Sequence, residues 1–368
     1  MMNGYRFALL AAAMIVLCSG GVFAQQEFEL EGGKWSPTAP PAKGTAEGEL
    51  SLIRSWIDHG DDGQVEQAAK DFLKQHGDSP LREEVMLLAG EAQVNRGRFF
   101  QGYEWFEKQL SEFPDGRFSD RALDREFAVA EAFLAGKKRI AAGIFFLPAQ
   151  DEGIDILGRI AEHVPGTAMA ERALLRVAEY HYAKQEYGKA ADAYDRYLEL
   201  FAKSKQAPDA MLKAAEATFR SFGGLAYDVT PLIEAEQRFR EYSERFPISA
   251  KAANVPATLA QIRNLRAGKV FSEAAFYERV GRPSAAAYYY RLVIEDYPHS
   301  DYAEQANYAL EKLASRLPPK AIEAASRPAP RPSEELPIRR PQPKGLGSDE
   351  VIDLEKLAPT TQETREEK

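Results

Sequence analysis

The stretch Phe276 to Pro298, FYERVGRPSAAAYYYRLVIEDYP, constrains the chain most, because it reads as two short helices joined by one tight turn. Gly281 supplies the backbone freedom of the turn, and Pro283 can begin the second helix. Ala286, Tyr290 and Val293 then recur at helical spacing until Pro298 ends the run. Ala286 is small where two helices must approach, and Tyr290 is large where a neighbour must be reached. Such a hairpin carries apolar surface that it cannot bury alone, so it needs copies of itself.

Those copies are present. The first runs LSLIRSWIDHG then VEQAAKDFLKQHGDSP, with Gly77 or Pro80 able to close it. The second has Ala89-Gly90 as its close-contact pair, Gly97 at the turn, Phe99 and Phe106 as its aromatics, and Pro114 at its end. The third begins with a helix from Asp120 to Ala135, is interrupted by KKRIAAGIFFLPAQDEG, and resumes from Ile154 to His163. Its insert, Ile140 to Leu147, reads as folding back on the array or as a contact surface for a partner or membrane face. The fourth places Val177-Ala178, Tyr187, Ala190, Tyr194 and Tyr197 in the same slots. The fifth carries GGLAYDVTP at its turn before a helix from Leu232 to Phe246. A connecting helix, Ala253 to Leu265, leads into the Phe276 hairpin, and Asp301 to Leu313 caps the series.

Small residue, aromatic and proline at these offsets match the tetratricopeptide unit, whose period is about 34 residues. The fold expected is all-α, a right-handed tetratricopeptide superhelix of about five or six helical hairpins over residues 49–315. Residues 25–48 read as a flexible Gly- and Pro-rich linker, with Trp35 as a clamp on the first helices or a partner contact. Residues 316–368 are Pro-rich without a periodic apolar face and read as a disordered tail, with VIDLEKLAP as a candidate docking motif inside it.

Residues 1–24 read as a signal peptide: Arg6, an apolar run from Phe7 to Cys18, and Val22-Phe23-Ala24 at the cleavage position. Export to the periplasm follows, and cleavage after Ala24 removes Cys18, the chain's one cysteine. A second reading is cleavage before Cys18 with acylation of its thiol, against which Leu17 counts. Lysine and arginine total 47 against 56 acids, a poor balance for a nucleic-acid binder.

Three stretches, ERALLRVAEYHYAKQEYGKAADAYDRYLE, YDVTPLIEAEQRFREYSERFP and FYERVGRPSAAAYYYRLVIEDYPHSDYAEQA, together resemble in order and spacing the BamD-like outer-membrane assembly lipoproteins. The resemblance covers about Glu49 to Leu313. It implies a scaffold on the inner face of the outer membrane, peripheral to it, whose partners are subunits of the machinery that inserts β-barrel proteins and the unfolded barrel substrates. The usual family member is lipidated on the cysteine that begins the mature chain. Alternatives of the same architecture are envelope adaptors for division, secretion or peptidoglycan-associated complexes.

First helices of stacked hairpins line one groove, and the early ones offer Leu87, Glu91, Val94, Asn95, Glu126, Ala130 and Phe133 to it. The resemblance implies that this end meets an extended substrate segment, and that Phe271, Glu278 and Arg279 of the last hairpin meet a machinery subunit. Tyr290 reads as core, with Tyr288 and Tyr289 as interface candidates. No catalytic constellation, phosphate loop or cofactor motif is present, so the expectation is a non-enzymatic protein with no cofactor. His59, His76, His163, His181 and His299 are scattered, none paired with another at metal-ligand spacing, so no metal is expected either.

Overall fold

A computed structural model describes residues 28–31, 34–37, 42–141 and 145–314. The signal-peptide and tail readings therefore lie outside the described residues. Helices follow one another at short intervals: α1 (Ala46–His59), α2 (Asp62–Gln75), α3 (Arg82–Asn95), α4 (Phe99–Glu112), α5 (Ser119–Leu134), α6 (Gln150–His163), α7 (Ala168–Ala183), α8 (Tyr187–Phe201), α9 (Ala207–Arg220), α10 (Thr230–Arg245), a short α11 (Pro247–Ala252), α12 (Val255–Arg279), α13 (Pro283–Asp296) and α14 (Asp301–Ala314). The boundary between two compact units falls at Lys269/Val270, inside α12.

In the first unit each helix from α1 to α10 packs on the next, and α1, α3, α5 and α7 also touch one another in succession. That is the neighbour pattern of stacked helical hairpins, and the fold is all-α and of the tetratricopeptide type. The turns inside hairpins, that between α9 and α10 apart, share one chemistry. Gly97 is left-handed at φ 75°, its N–H donates to the Val94 carbonyl at 2.9 Å, and Arg98 N–H donates to Gln93 O at 2.8 Å. The same pair of bonds closes α7, where the left-handed residue is Gln185 at φ 61°. These are Schellman closures, which satisfy carbonyls that the helix end leaves without partners.

The core runs along the hairpin seams. Phe72, Phe106, Phe133, Leu157, Ile160 and Tyr197 are fully buried, each such side chain stabilising the fold by about 1.5–3 kcal/mol through burial. Small residues set the closest approaches: Gly90 and Gly102 stand where α3 crosses α4, with Val94 Cγ2 2.5 Å from a Cβ built on Gly102. Ala190 is fully buried with Ala191 and Ala217.

Two expectations are corrected, and the insert that was expected to fold back on the array does so in a specific form. The stretch read as a linker holds a two-stranded hairpin, β1 (Phe28–Glu31) against β2 (Lys34–Pro37), with Leu30 opposite Trp35. The first helix also starts inside that stretch, at Ala46, because the Thr45 hydroxyl accepts the Gly48 N–H at 3.1 Å and caps it. The Ile140 to Leu147 insert is a β-hairpin, β3 (Lys138–Ala141) with β4 (Phe145–Pro148). It touches α4 through β3: Arg139 lies 3.7 Å over the Phe100 ring. Phe146 and Leu147 of that hairpin stay exposed. Finally, the connecting helix and the first helix of the last hairpin are one continuous helix, α12, which starts just after left-handed Asn254.

In the second unit, α12 and α13 meet through aromatic rings. Phe271 lies 5.3 Å from Tyr290 and 5.4 Å from Tyr302, and Tyr277 stacks on Tyr289 at 5.2 Å with the planes 10° apart. Gly281 makes the turn at φ 73°, with the same two closing bonds as Gly97.

Candidate protein-docking surface

The first helices of the early hairpins are joined to one another by charge. Arg54 on α1 grips Glu84 on α3 with two bonds of 2.7 and 2.8 Å. Glu91 on α3 accepts from Arg121 Nε at 3.0 Å, from its terminal nitrogen at 2.8 Å and from Arg125 Nε at 2.7 Å, both on α5. Glu131 on α5 pairs with Arg176 on α7 at 2.5 Å. Forked arginine–carboxylate pairs of this kind fix orientation as well as distance.

This arrangement redistributes the predicted groove residues. Residues 85–93 of α3 are buried without interruption, so Leu87 lies in the core; Ala130 and Phe133 are fully buried too. These three have no surface to offer a partner, because each first helix is covered on two sides by neighbouring helices. Glu91 is buried and committed to its two arginines. Val94 is half-buried against Gly102, whereas Asn95 is exposed and donates to Asp62 at 3.1 Å. Glu126 is fully buried.

In the second unit, Phe271 is half-buried among rings and Glu278 accepts the Tyr290 hydroxyl at 3.0 Å. Burial and that carboxylate push the Tyr290 phenol up to about 12. Arg279 is exposed, over the Phe276 ring at 5.9 Å. Beside it, Phe276 and Val280 are each 48% exposed. Arg279, Phe276 and Val280 thus form a cationic and apolar patch at the end of α12. The signal of Phe276 as surface was its place near the helix end that Gly281 closes, where no further turn of helix covers it.

A second feature lies on the second helices, where sequence reading placed no site. Leu73 on α2 and Trp105 on α4 floor an open cleft of about 370 Å³. Glu66, Lys70, Glu104 and Lys108 rim it, with Lys108 Nζ 5.5 Å from the Trp105 ring. An aromatic floor with a charged rim suits a protein side chain. Among the described residues no helix is long and apolar enough to cross a membrane.

Comparison with known proteins bears on the later hairpins. Residues 149–327 match the family described as YfiO, outer membrane lipoprotein. The outer membrane protein assembly factor BamD of Caulobacter vibrioides is 21% identical over 160 residues, 44% of this chain and 52% of that protein; the chain thus spans about half the length of the curated relative it matches. A tetratricopeptide repeat protein from Parabacteroides merdae aligns over 73% of this chain and 98% of its own at 15% identity and a TM-score of 0.30. The C-terminal part of a repeat protein from Cytophaga hutchinsonii aligns over 72% and 88% at 12% identity and the same score. At these scores the two solved structures add nothing to what the helices themselves show. The sequence resemblance and the family match agree: this chain is similar to BamD, an array of tetratricopeptide-type hairpins in which residues 149–327 match the outer membrane lipoprotein family.

Proposed function

We propose that the protein is a periplasmic scaffold that binds other proteins and serves the assembly of β-barrel proteins at the inner face of the outer membrane. The observation that carries this reading is the family match over residues 149–327. The exposed patch of Phe276, Arg279 and Val280 is our choice for the surface that meets a machinery subunit, since an exposed arginine beside apolar side chains is the composition enriched at interface centres. The Trp105 cleft and exposed Asn95 are our choice for an extended substrate segment. On this reading the protein performs no chemistry and takes its partners by shape and charge.

The test is cross-linking and co-purification from the cell envelope. Recovery of a β-barrel insertase subunit is the expected result. Recovery of division, secretion or peptidoglycan-associated proteins alone overturns the assignment in favour of an envelope adaptor.

A further inference from the structure

Glu107, Glu126 and His163 sit on three successive helices, α4, α5 and α6, and one ligand atom from each lies within 4.8 Å of the others. The chain order hides the group, since its members are spread over 57 positions and belong to two hairpins. His163 Nε2 stands 3.3 Å from both oxygens of Glu107. Glu126 is fully buried, and both its carboxylate oxygens lack a hydrogen-bond partner. A buried carboxylate without a partner is costly, and such groups are retained where they pair with a cation or bind a metal.

We propose that Glu107, Glu126 and His163 form a binding site for one divalent first-row metal ion, with zinc as its natural probe. Two carboxylates and an imidazole are a ligand set that suits zinc and supply the two negative charges that a dication needs. Tetrahedral ligands at zinc bond lengths of about 2.0–2.1 Å stand about 3.3–3.4 Å apart, the separation already present between His163 and Glu107. With all three ligand atoms within 4.8 Å of one another, a side-chain shift of at most about 1.5 Å closes the remaining edges.

Two neighbours fit the reading. The Tyr103 hydroxyl donates to Glu107 Oε1 at 2.8 Å, the outer-shell bond that orients a ligating carboxylate. Arg159 is near enough to act on all three groups through space, yet it forms no ion pair with either carboxylate among the described contacts, so it does not take the cation's place. His163 is exposed and Glu126 buried, which gives an ion a way in and a closed end.

The full chain, stripped with chelator and dialysed, is titrated with zinc chloride by calorimetry and native mass spectrometry, then loaded with cobalt(II) for its visible spectrum. One equivalent of zinc and d–d bands from a nitrogen and oxygen site are expected. Glu126→Gln keeps the side-chain shape and removes the buried charge, so it folds; it and His163→Ala should each weaken binding by at least about tenfold, no less than the loss of an outer-shell partner. Helical content by circular dichroism separates lost binding from lost fold. Absence of a bound equivalent in the wild-type chain overturns the proposal, as does zinc affinity unchanged in both folded variants.

Discussion

The Phe106 ring fills the space that a side chain on Gly90 would need: a Cβ built there stands 2.2 Å from Cε1 of the ring and 2.6 Å from Cδ1. Phe106 is fully buried and has nowhere to retreat. Gly90→Ala should therefore destabilise the protein by about 1–3 kcal/mol through overpacking, despite the better helix propensity of alanine. Gly90→Ala with Phe106→Leu should recover part of that loss. Denaturant melts of the four species give the coupling, and additive effects would show that the ring does not set the α3–α4 distance.

Ala190 poses the same question in a later hairpin. It is fully buried on α8 beside Ala191 and Ala217. Ala190→Leu should cost about 1–3 kcal/mol. An unchanged melting midpoint would contradict a close helix approach there.

Gln185 takes the left-handed position that glycine takes at residues 97 and 281. A side chain in that region costs about 1–2 kcal/mol, and part of the gain from removing it is returned as unfolded-chain entropy. Gln185→Gly should stabilise the protein by about 0.5–1 kcal/mol. A lower midpoint in urea than the wild type's would show that Gln185 is held by something other than the turn.

Glu236 on α10 accepts from Arg266 at 2.5 Å, from Arg263 at 3.2 Å and from Arg240. Burial raises its carboxyl, but the hydrogen bonds from Arg266 and Arg263 outweigh burial and hold it below the usual range. A group depressed in the folded state contributes stability above its unfolded value and loses it as pH falls through the folded one. Stability should thus drop as pH falls below about 4.5, with Glu236 one contributor. Glu236→Gln should cost about 1–3 kcal/mol at neutral pH and flatten the acid limb, as followed by melts between pH 3 and 7. An acid limb as steep in the variant as in the wild type would place the sensitivity elsewhere.

The proposed partner surfaces separate in a binding assay. Arg279→Glu with Val280→Asp alters exposed positions only, so the fold should persist while capture of the machinery subunit falls at least about tenfold, the effect of losing an interface hot spot. Lys70→Glu with Lys108→Glu reverses the rim of the Trp105 cleft and should weaken an extended peptide instead. Full capture of every partner by both variants would remove these surfaces from consideration.

Much of the fold was legible because close approaches between helices demand particular residues at particular offsets. Gly90 with Phe106, Gly97, Gly281 and Ala286 with Tyr290 state the hairpin almost by themselves. The β3–β4 hairpin was not legible as strand, since a short apolar run lacks the length to settle its period. Continuity of α12 was hidden because Gly268, a residue that reads as a helix end, stands at its joint, and the helix runs straight through it. The docking surface was least legible. Helical period marks a polar and an apolar face, but a helix inside an array is covered on two sides, and Leu87, Ala130 and Phe133 fall on the covered ones. Glu126 misleads most, because a charge on a periodic helix reads as solvated and here it is sealed inside.

The two long insertions within the first unit, the β3–β4 hairpin between α5 and α6 and the extended segment between α9 and α10, both occupy turns inside hairpins, where the chain passes from a first helix to its second. In an alternating up-and-down stack every such turn emerges along the same margin, opposite the margin that carries the links from one hairpin to the next. Growth on that margin leaves the seams untouched, so this lineage can try new appendages, such as the exposed Phe146 and Leu147, without re-solving how its helices stack.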